Sequence, residues 1–353
     1  MVREGAPSTS SFHAPPPDST PPTFTLATPR YMLKTSTQEP LMPTNRVPEL
    51  SLKAFTHGTA GDRRHFIEAL MKGFTRYGFI ILKDHAVSTD LLSRAYEMSK
   101  AFFDLPEAEK RGYITAADGQ RGYTPFGREH AKDATVADLK EFWHIGREFE
   151  ATSPLAQTYR MNVWPTRPEP FRQTFLELFT ALEDAGFAML EALAPSLDVS
   201  PDYFRRMATD GNSILRLLHY PPVPDSAEPG AMRAAPHEDI NLITILVAAN
   251  GAGLELLDRD GQWLPVETAP ENLIVDAGDM LARITNDVIP ATTHRVVNPK
   301  GPNVSRYSMP FFMHPHRDAV LECIPSCTGK GAKYPPITAN AFLQQRLKEI
   351  GLA

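Results

Sequence analysis

From residue 212 to residue 313 the chain is a succession of short apolar runs separated by Gly, Asn, Asp and Pro, a rhythm that favours strands over helices. The runs are 214–220, ended by Pro221-Pro222, then 242–248, 253–257, 263–266, 273–276, 293–297 and 306–313. Many short strands of this kind predict a double-sheet jelly roll. Within that stretch His237 and Asp239 stand two apart. Residues i and i+2 of an extended segment point to the same side, roughly 6.5–7 Å apart, so both can converge on one ion. His294 must be delivered by the fold. Two imidazoles and one carboxylate on one face of an octahedron leave three positions open, a set suited to non-haem Fe(II) and oxygen chemistry. Taken alone, a His-x-Asp pair is more often incidental. Arg306 and Ser308 share a strand face, and a guanidinium beside a hydroxyl makes a carboxylate receptor.

Order and spacing extend this pattern. His237-Glu238-Asp239 is followed by Thr244, Gly261-Gln262-Trp263, Asp276-Ala277-Gly278-Asp279-Met280-Leu281, Asn286, His294-Arg295-Val296, Arg306-Tyr307-Ser308, and Phe311-Phe312 before Pro315. In these motifs the chain resembles the iron- and 2-oxoglutarate-dependent oxygenases of the isopenicillin N synthase-like group, from about residue 47 onward. The resemblance implies an α+β fold, a double-stranded β-helix (jelly-roll) core flanked by helices. It implies Fe(2+) on His237, Asp239 and His294, with 2-oxoglutarate and O2 as co-substrates and ascorbate as a reductant. It places the far carboxylate of 2-oxoglutarate on Arg306 and Ser308. Tyr220, in a Tyr-Pro motif, becomes a co-substrate contact, while Leu218 replaces an asparagine frequent in the family. The implied activity is hydroxylation or desaturation of a small molecule, with release of succinate and CO2. Three alternatives stay open: an oxidase of the same fold that needs no 2-oxoglutarate, an ethylene/succinate-forming type, and a metal-free binding protein on an old enzyme fold. The intact ligand set argues against the last.

Expected organisation follows from the same reading: a disordered tail over 1–46, rich in Pro, Ser and Thr; an N-terminal region over 47–165; scaffold helices over 166–210; the jelly-roll domain over 211–320; and a C-terminal segment with a helix over 321–353. The tail lacks the apolar core of a signal peptide, and Met32 or Met42 are alternative starts. Asp62 is expected to cap a helix carrying Phe66, Leu70 and Phe74, and Ser88 to cap the next. A long helix is expected over 168–193. Another should start at Ser200-Pro201-Asp202 with serine as cap and proline in the first helical position. A last helix is expected near 340–350.

Around the pocket, Arg121, Tyr123 and Phe126 are candidate substrate contacts. Leu218, Ile245 and Phe312 are candidate walls, and His314 is the remaining histidine placed to face the pocket. Glu238 alternates away from its neighbours. Arg233, just before the ligand strand, is a candidate contact for an acidic substrate but reads first as an ordinary surface arginine, and His85 reads as a structural turn residue. Cys323 and Cys327 read as two reduced thiols. Net charge of −6 and a pI near 6.0 argue against a nucleic-acid or anionic-membrane surface. No run of eighteen apolar residues occurs. A cytoplasmic monomer acting on a small molecule is the expectation.

Overall fold

The computed structural model describes residues 46–115, 120–129 and 136–349. The expected tail over 1–46 lies almost wholly outside the described residues. In chain order the elements are β1 (Glu49–Ser51), α1 (Leu52–Thr56), α2 (Ala60–Tyr77), β2 (Phe79–Lys83), α3 (Thr89–Phe103), α4 (Glu107–Arg111), β3 (Gly122–Thr124), β4 (Glu141–Gly146), α5 (Phe171–Leu193) and α6 (Tyr203–Ala208). Then come β5 (Ile214–Tyr220), β6 (Ala234–His237), β7 (Ile243–Val247), β8 (Leu254–Leu257), β9 (Trp263–Pro265), β10 (Leu273–Ala277), α7 (Asp279–Ile284), β11 (His294–Val296), β12 (Arg306–Met313), β13 (Val320–Leu321), β14 (Ile337–Thr338) and α8 (Ala339–Glu349).

An eight-stranded sheet runs in the order β1-β2-β10-β7-β12-β5-β4-β3, and a four-stranded sheet in the order β6-β11-β8-β9. Only β1 and β2 pair in parallel among the described strands; the other pairings are antiparallel. This is the jelly-roll core with flanking helices. Strands from the first half of the chain complete the larger sheet, so its outer strands come from sequence remote from the motif-rich stretch.

Alternation along each strand gives the larger sheet two faces. Ile80, Leu82, Leu215, Leu217, Ile243, Ile245, Val247, Met309 and Phe311 join Phe171, Phe175, Leu178 and Leu182 of α5 in one core. The residues between them turn inward. Phe79, Ile81, Phe142, Leu218, Tyr220, Leu246 and Ile274 pack with Leu254, Leu256 and Val296 of the smaller sheet. Ile245 is therefore no wall of the pocket, because its register puts it under the helices.

Helix starts differ from expectation in three places, one being α5, which begins at Phe171 and not at 168. Thr59, not Asp62, caps α2: its hydroxyl accepts the Asp62 N–H, and Asp62 reaches back to the Thr59 N–H at 2.9 Å, a capping box. At α6 the helix begins at Tyr203 with Asp202 in the cap position, so Ser200-Pro201 form a turn before it. Ser88 caps α3 as expected, accepting the Leu91 N–H at 3.2 Å. Among the described residues no helix is long and apolar enough to cross a membrane.

One glycine fixes how the sheet approaches the metal-type residues. Gly278 precedes α7 and sits against Asn241, so a Cβ there would collide with the Asn241 backbone carbonyl and amide oxygen. Backbone cannot yield as a side-chain tip can. Gly278→Ala is expected to lower stability by about 1–3 kcal/mol, an overpacking effect. Thermal unfolding of the purified variant checks this, and an unchanged melting temperature would contradict it.

Candidate active site

His237 ends β6, and His294 begins β11 directly opposite it in the antiparallel register. The two rings lie 4.4 Å apart between centroids. The chain turns after His237 and returns Asp239 to the same place. One ligand atom from each of His237, Asp239 and His294 lies within 4.8 Å of the others. The sequence pattern thus meets in space.

The rings are oriented for ligation. His237 Nδ1 lies 2.7 Å from the Ala235 carbonyl, and His294 Nδ1 lies 3.0 Å from the Thr292 carbonyl. A carbonyl only accepts, so each Nδ1 carries the proton and each Nε2 presents a lone pair. Burial, reinforced by the neighbouring His294 ring, pushes His237 down to about 4, which keeps it neutral. Asp239 is held by the Thr244 hydroxyl, which itself accepts from Asn241 Nδ2 at 2.9 Å. Its backbone carbonyl accepts the Asp279 N–H at 2.7 Å. Asp276 lies beneath, where burial and the Asp239 charge raise it well above the usual carboxylate range. Glu238 points away as expected and accepts from the Thr293 hydroxyl at 2.9 Å.

Arg306 begins β12 and is 3% exposed, opposite Tyr220 in register. Its guanidinium carbon lies 5.2 Å from the Tyr220 ring centroid, and its Nε donates to the Gly251 carbonyl at 3.3 Å. Its Nη1 is buried without a hydrogen-bond partner. Ser308 is buried two residues on, on the same face. Arg233 was expected at the surface. It is 3% exposed instead, with Nε buried and unpartnered and the Arg306 charge close enough to lower it further. Among the described residues neither guanidinium is paired with a carboxylate. Buried unpaired cations are costly unless an anion joins them. A carboxylate entering beside Arg306 would offset that cost.

Sequence reasoning missed a second buried group. Lys140 meets Glu129 at 2.8 Å and Asp138 at 2.7 Å. Arg216 meets Glu129 at 3.0 Å and donates from Nε to His144 Nε2 at 2.6 Å. Burial alone raises Glu129, but the Arg216 and Lys140 charges outweigh it and hold the carboxyl well below its usual range. Asp138 also accepts the Ala235 N–H at 2.9 Å, tying the approach to β4 to the strand that carries His237. The Asp138-x-Lys140 spacing was the available signal, since it puts both on one side of an extended chain.

The remaining candidates divide. Leu218 faces inward, and Phe312 lies under Arg216, 5.3 Å from its guanidinium. Tyr123 is buried on the helical side and hydrogen-bonds Glu141, so it does not face the site. Phe126 is 41% exposed. Arg121 is buried beside Gly146. His85 bonds the Glu271 carbonyl at 2.7 Å, in keeping with a structural turn. Cys323 and Cys327 form no disulfide.

The donor set fits iron. Family comparisons agree with that chemistry. A model described as the N-terminal region of the non-haem dioxygenase in morphine synthesis matches residues 47–167, and one described as the 2OG-Fe(II) oxygenase superfamily matches residues 211–315. The 2-oxoglutarate-Fe(II) type oxidoreductase hxnY of Emericella nidulans is 32% identical over 315 residues, 86% of this chain and 89% of that protein. A Caulobacter crescentus protein described as of the 2OG-Fe(II) oxygenase family is similar in structure, with a TM-score of 0.78, 42% identity, and coverage of 87% of this chain and 100% of its own. A full-length Neurospora crassa protein solved in complex with alpha-KG also has a TM-score of 0.78, with 30% identity over 87% of this chain and 98% of its own. With both halves matched and relatives aligned over most of their length, the chain belongs to the 2OG-Fe(II) oxygenase superfamily.

Proposed function

We propose that His237, Asp239 and His294 hold Fe(II), that Arg306, Ser308 and Tyr220 hold the far end of 2-oxoglutarate, and that the enzyme hydroxylates or desaturates a small molecule. The observation that carries this reading is the pair of buried, carboxylate-free guanidiniums inside the same barrel as the His-Asp-His group. The Neurospora crassa relative solved with alpha-KG supports the co-substrate. Bound iron supplies activation of O2. For hydroxylation the balance is 2-oxoglutarate, O2 and R–H giving succinate, CO2 and R–OH; for desaturation, two hydrogens leave the substrate as water.

The chain's own part is positional. Nδ1 donation to carbonyls fixes both imidazoles. Thr244 takes one oxygen of Asp239 and leaves the other for the metal. Arg306 receives the distal carboxylate with charge-assisted bonds, and Arg233 adds to the positive field. Leu218, Leu246 and Phe79 keep the interior apolar and limit water. The acidic chain, with a pI near 6.0, supports a small-molecule substrate over nucleic acid, and we take the enzyme as a cytoplasmic monomer.

Anaerobic reconstitution with Fe(II) followed by 2-oxoglutarate tests the proposal. A weak visible metal-to-ligand charge-transfer band of the chelate is expected. Iron binding without the band would favour an oxidase that needs no 2-oxoglutarate, and no iron binding would remove the reading altogether.

A further inference from the structure

The two imidazoles of the metal-type group are not held alike. His294 lies between two strands, pairing with His237 of β6 on one side and Leu256 of β8 on the other. His237 ends β6, which lies at an edge of the smaller sheet. That strand is irregular just before the ligand. His237 pairs with His294 and Ala234 with Val296, so Ala235 and Pro236 together stand opposite Arg295 alone. A slip of this kind, a β-bulge, re-aims side chains and takes local backbone out of the ladder. Pro236 has no N–H to give. Yet the Ala235 carbonyl is what sets the His237 ring, through Nδ1 at 2.7 Å.

The Ala235 peptide is fixed from another part of the chain. Asp138, 3% exposed, accepts the Ala235 N–H on one carboxylate oxygen at 2.9 Å. Its other oxygen accepts from Lys140 Nζ at 2.7 Å, and Lys140 is held in turn by Glu129 at 2.8 Å. The Leu139 N–H donates to the Met232 carbonyl at 3.0 Å, which lays this segment along the approach to β6. With both oxygens engaged, the Asp138 carboxylate is kept facing Ala235. Buried ion pairs often add no stability over apolar residues of the same size. What this one provides is an acceptor held in place.

We propose that Asp138, clamped by Lys140, is a positioning residue of the metal site: it holds the Ala235 peptide at the bulge, and that peptide aims His237 Nε2 at the metal. This rests on the His237–Asp239–His294 metal reading above. Asp138 acts only through His237.

Two double variants isolate the acceptor. Asp138→Asn/Lys140→Met and Asp138→Leu/Lys140→Met are alike in shape, and only the first keeps an oxygen for the Ala235 N–H. Both remove the Lys140 charge that acts on the His237 ring, so that contribution cancels. Both leave Glu129 its pair with Arg216 at 3.0 Å. The probe is Co(II), added anaerobically to the metal-free full chain and followed by calorimetry and by its visible ligand-field bands. Loss of an outer-sphere partner costs a metal site roughly 10–100-fold, so the second variant is expected to bind about tenfold or more weakly than the parent, with altered bands, and the first to stay within about threefold, with the parent's bands. Phe175→Leu, in the core on the helical side of the larger sheet, is expected to melt lower yet bind Co(II) as the parent does. Should the second variant not fold, Asp138→Ala/Lys140→Met takes its place and is read in the same way. Equal affinities for the two double variants, or a Phe175→Leu variant weakened as far as the second, would overturn the proposal. No Co(II) binding by the parent chain would instead defeat the metal reading on which it rests.

Discussion

His237→Ala is expected to lose iron and to fall in turnover by well over a hundredfold, beyond the roughly 10–100-fold that removing an outer-sphere partner takes from a metal site. Its side chain is 33% exposed and ends a short strand, so truncation leaves no sealed core cavity. The fold should survive, with a melting temperature of the metal-free variant close to that of the parent protein. Iron content and succinate formation, read beside the melting curve, separate loss of the metal from loss of the fold. A variant that keeps both iron and turnover would refute the ligand assignment.

Arg306→Leu is expected to act with opposite signs on function and on stability. Removing one partner of a buried charge pair costs about 2–5 kcal/mol, which is roughly thirtyfold to a few thousandfold in the 2-oxoglutarate concentration needed. Without 2-oxoglutarate, however, Arg306 is a buried cation whose Nη1 has no partner. Leucine removes that desolvation penalty, so the ligand-free variant should melt no lower than the parent. An unchanged requirement for 2-oxoglutarate would count against the carboxylate role, and a lower melting temperature would count against the unpaired-cation account.

The strands were legible because each is short, apolar and closed by a turn residue. The residue bounds 214–220 and 306–313 are those of β5 and β12. Alternation separates the two faces of a strand but does not name the neighbour of each face. That is why Ile245 read as a pocket wall and lies under α5's side of the sheet. Arg233 was misread for a related reason. No local feature marks an arginine for burial beside another arginine, because the anion that would justify it is not part of the chain. The Lys140–Glu129–Arg216–His144 group joins residues as far as 87 positions apart, and only the register of β4 with β5 brings them together. Thr59 and Asp62 show the limit at helix ends, where two capping-competent residues three apart share one box.

The pairing of Arg346 with Asp279, at 3.0 Å, bolts α8 to the residue that hydrogen-bonds the Asp239 carbonyl. One face of the same helix lines a cavity of about 400 Å³ through Asn340, Leu343 and Gln344. The His-Asp-His group is therefore braced from outside the sheet: a change on α8 reaches Asp239 through the Asp279 backbone.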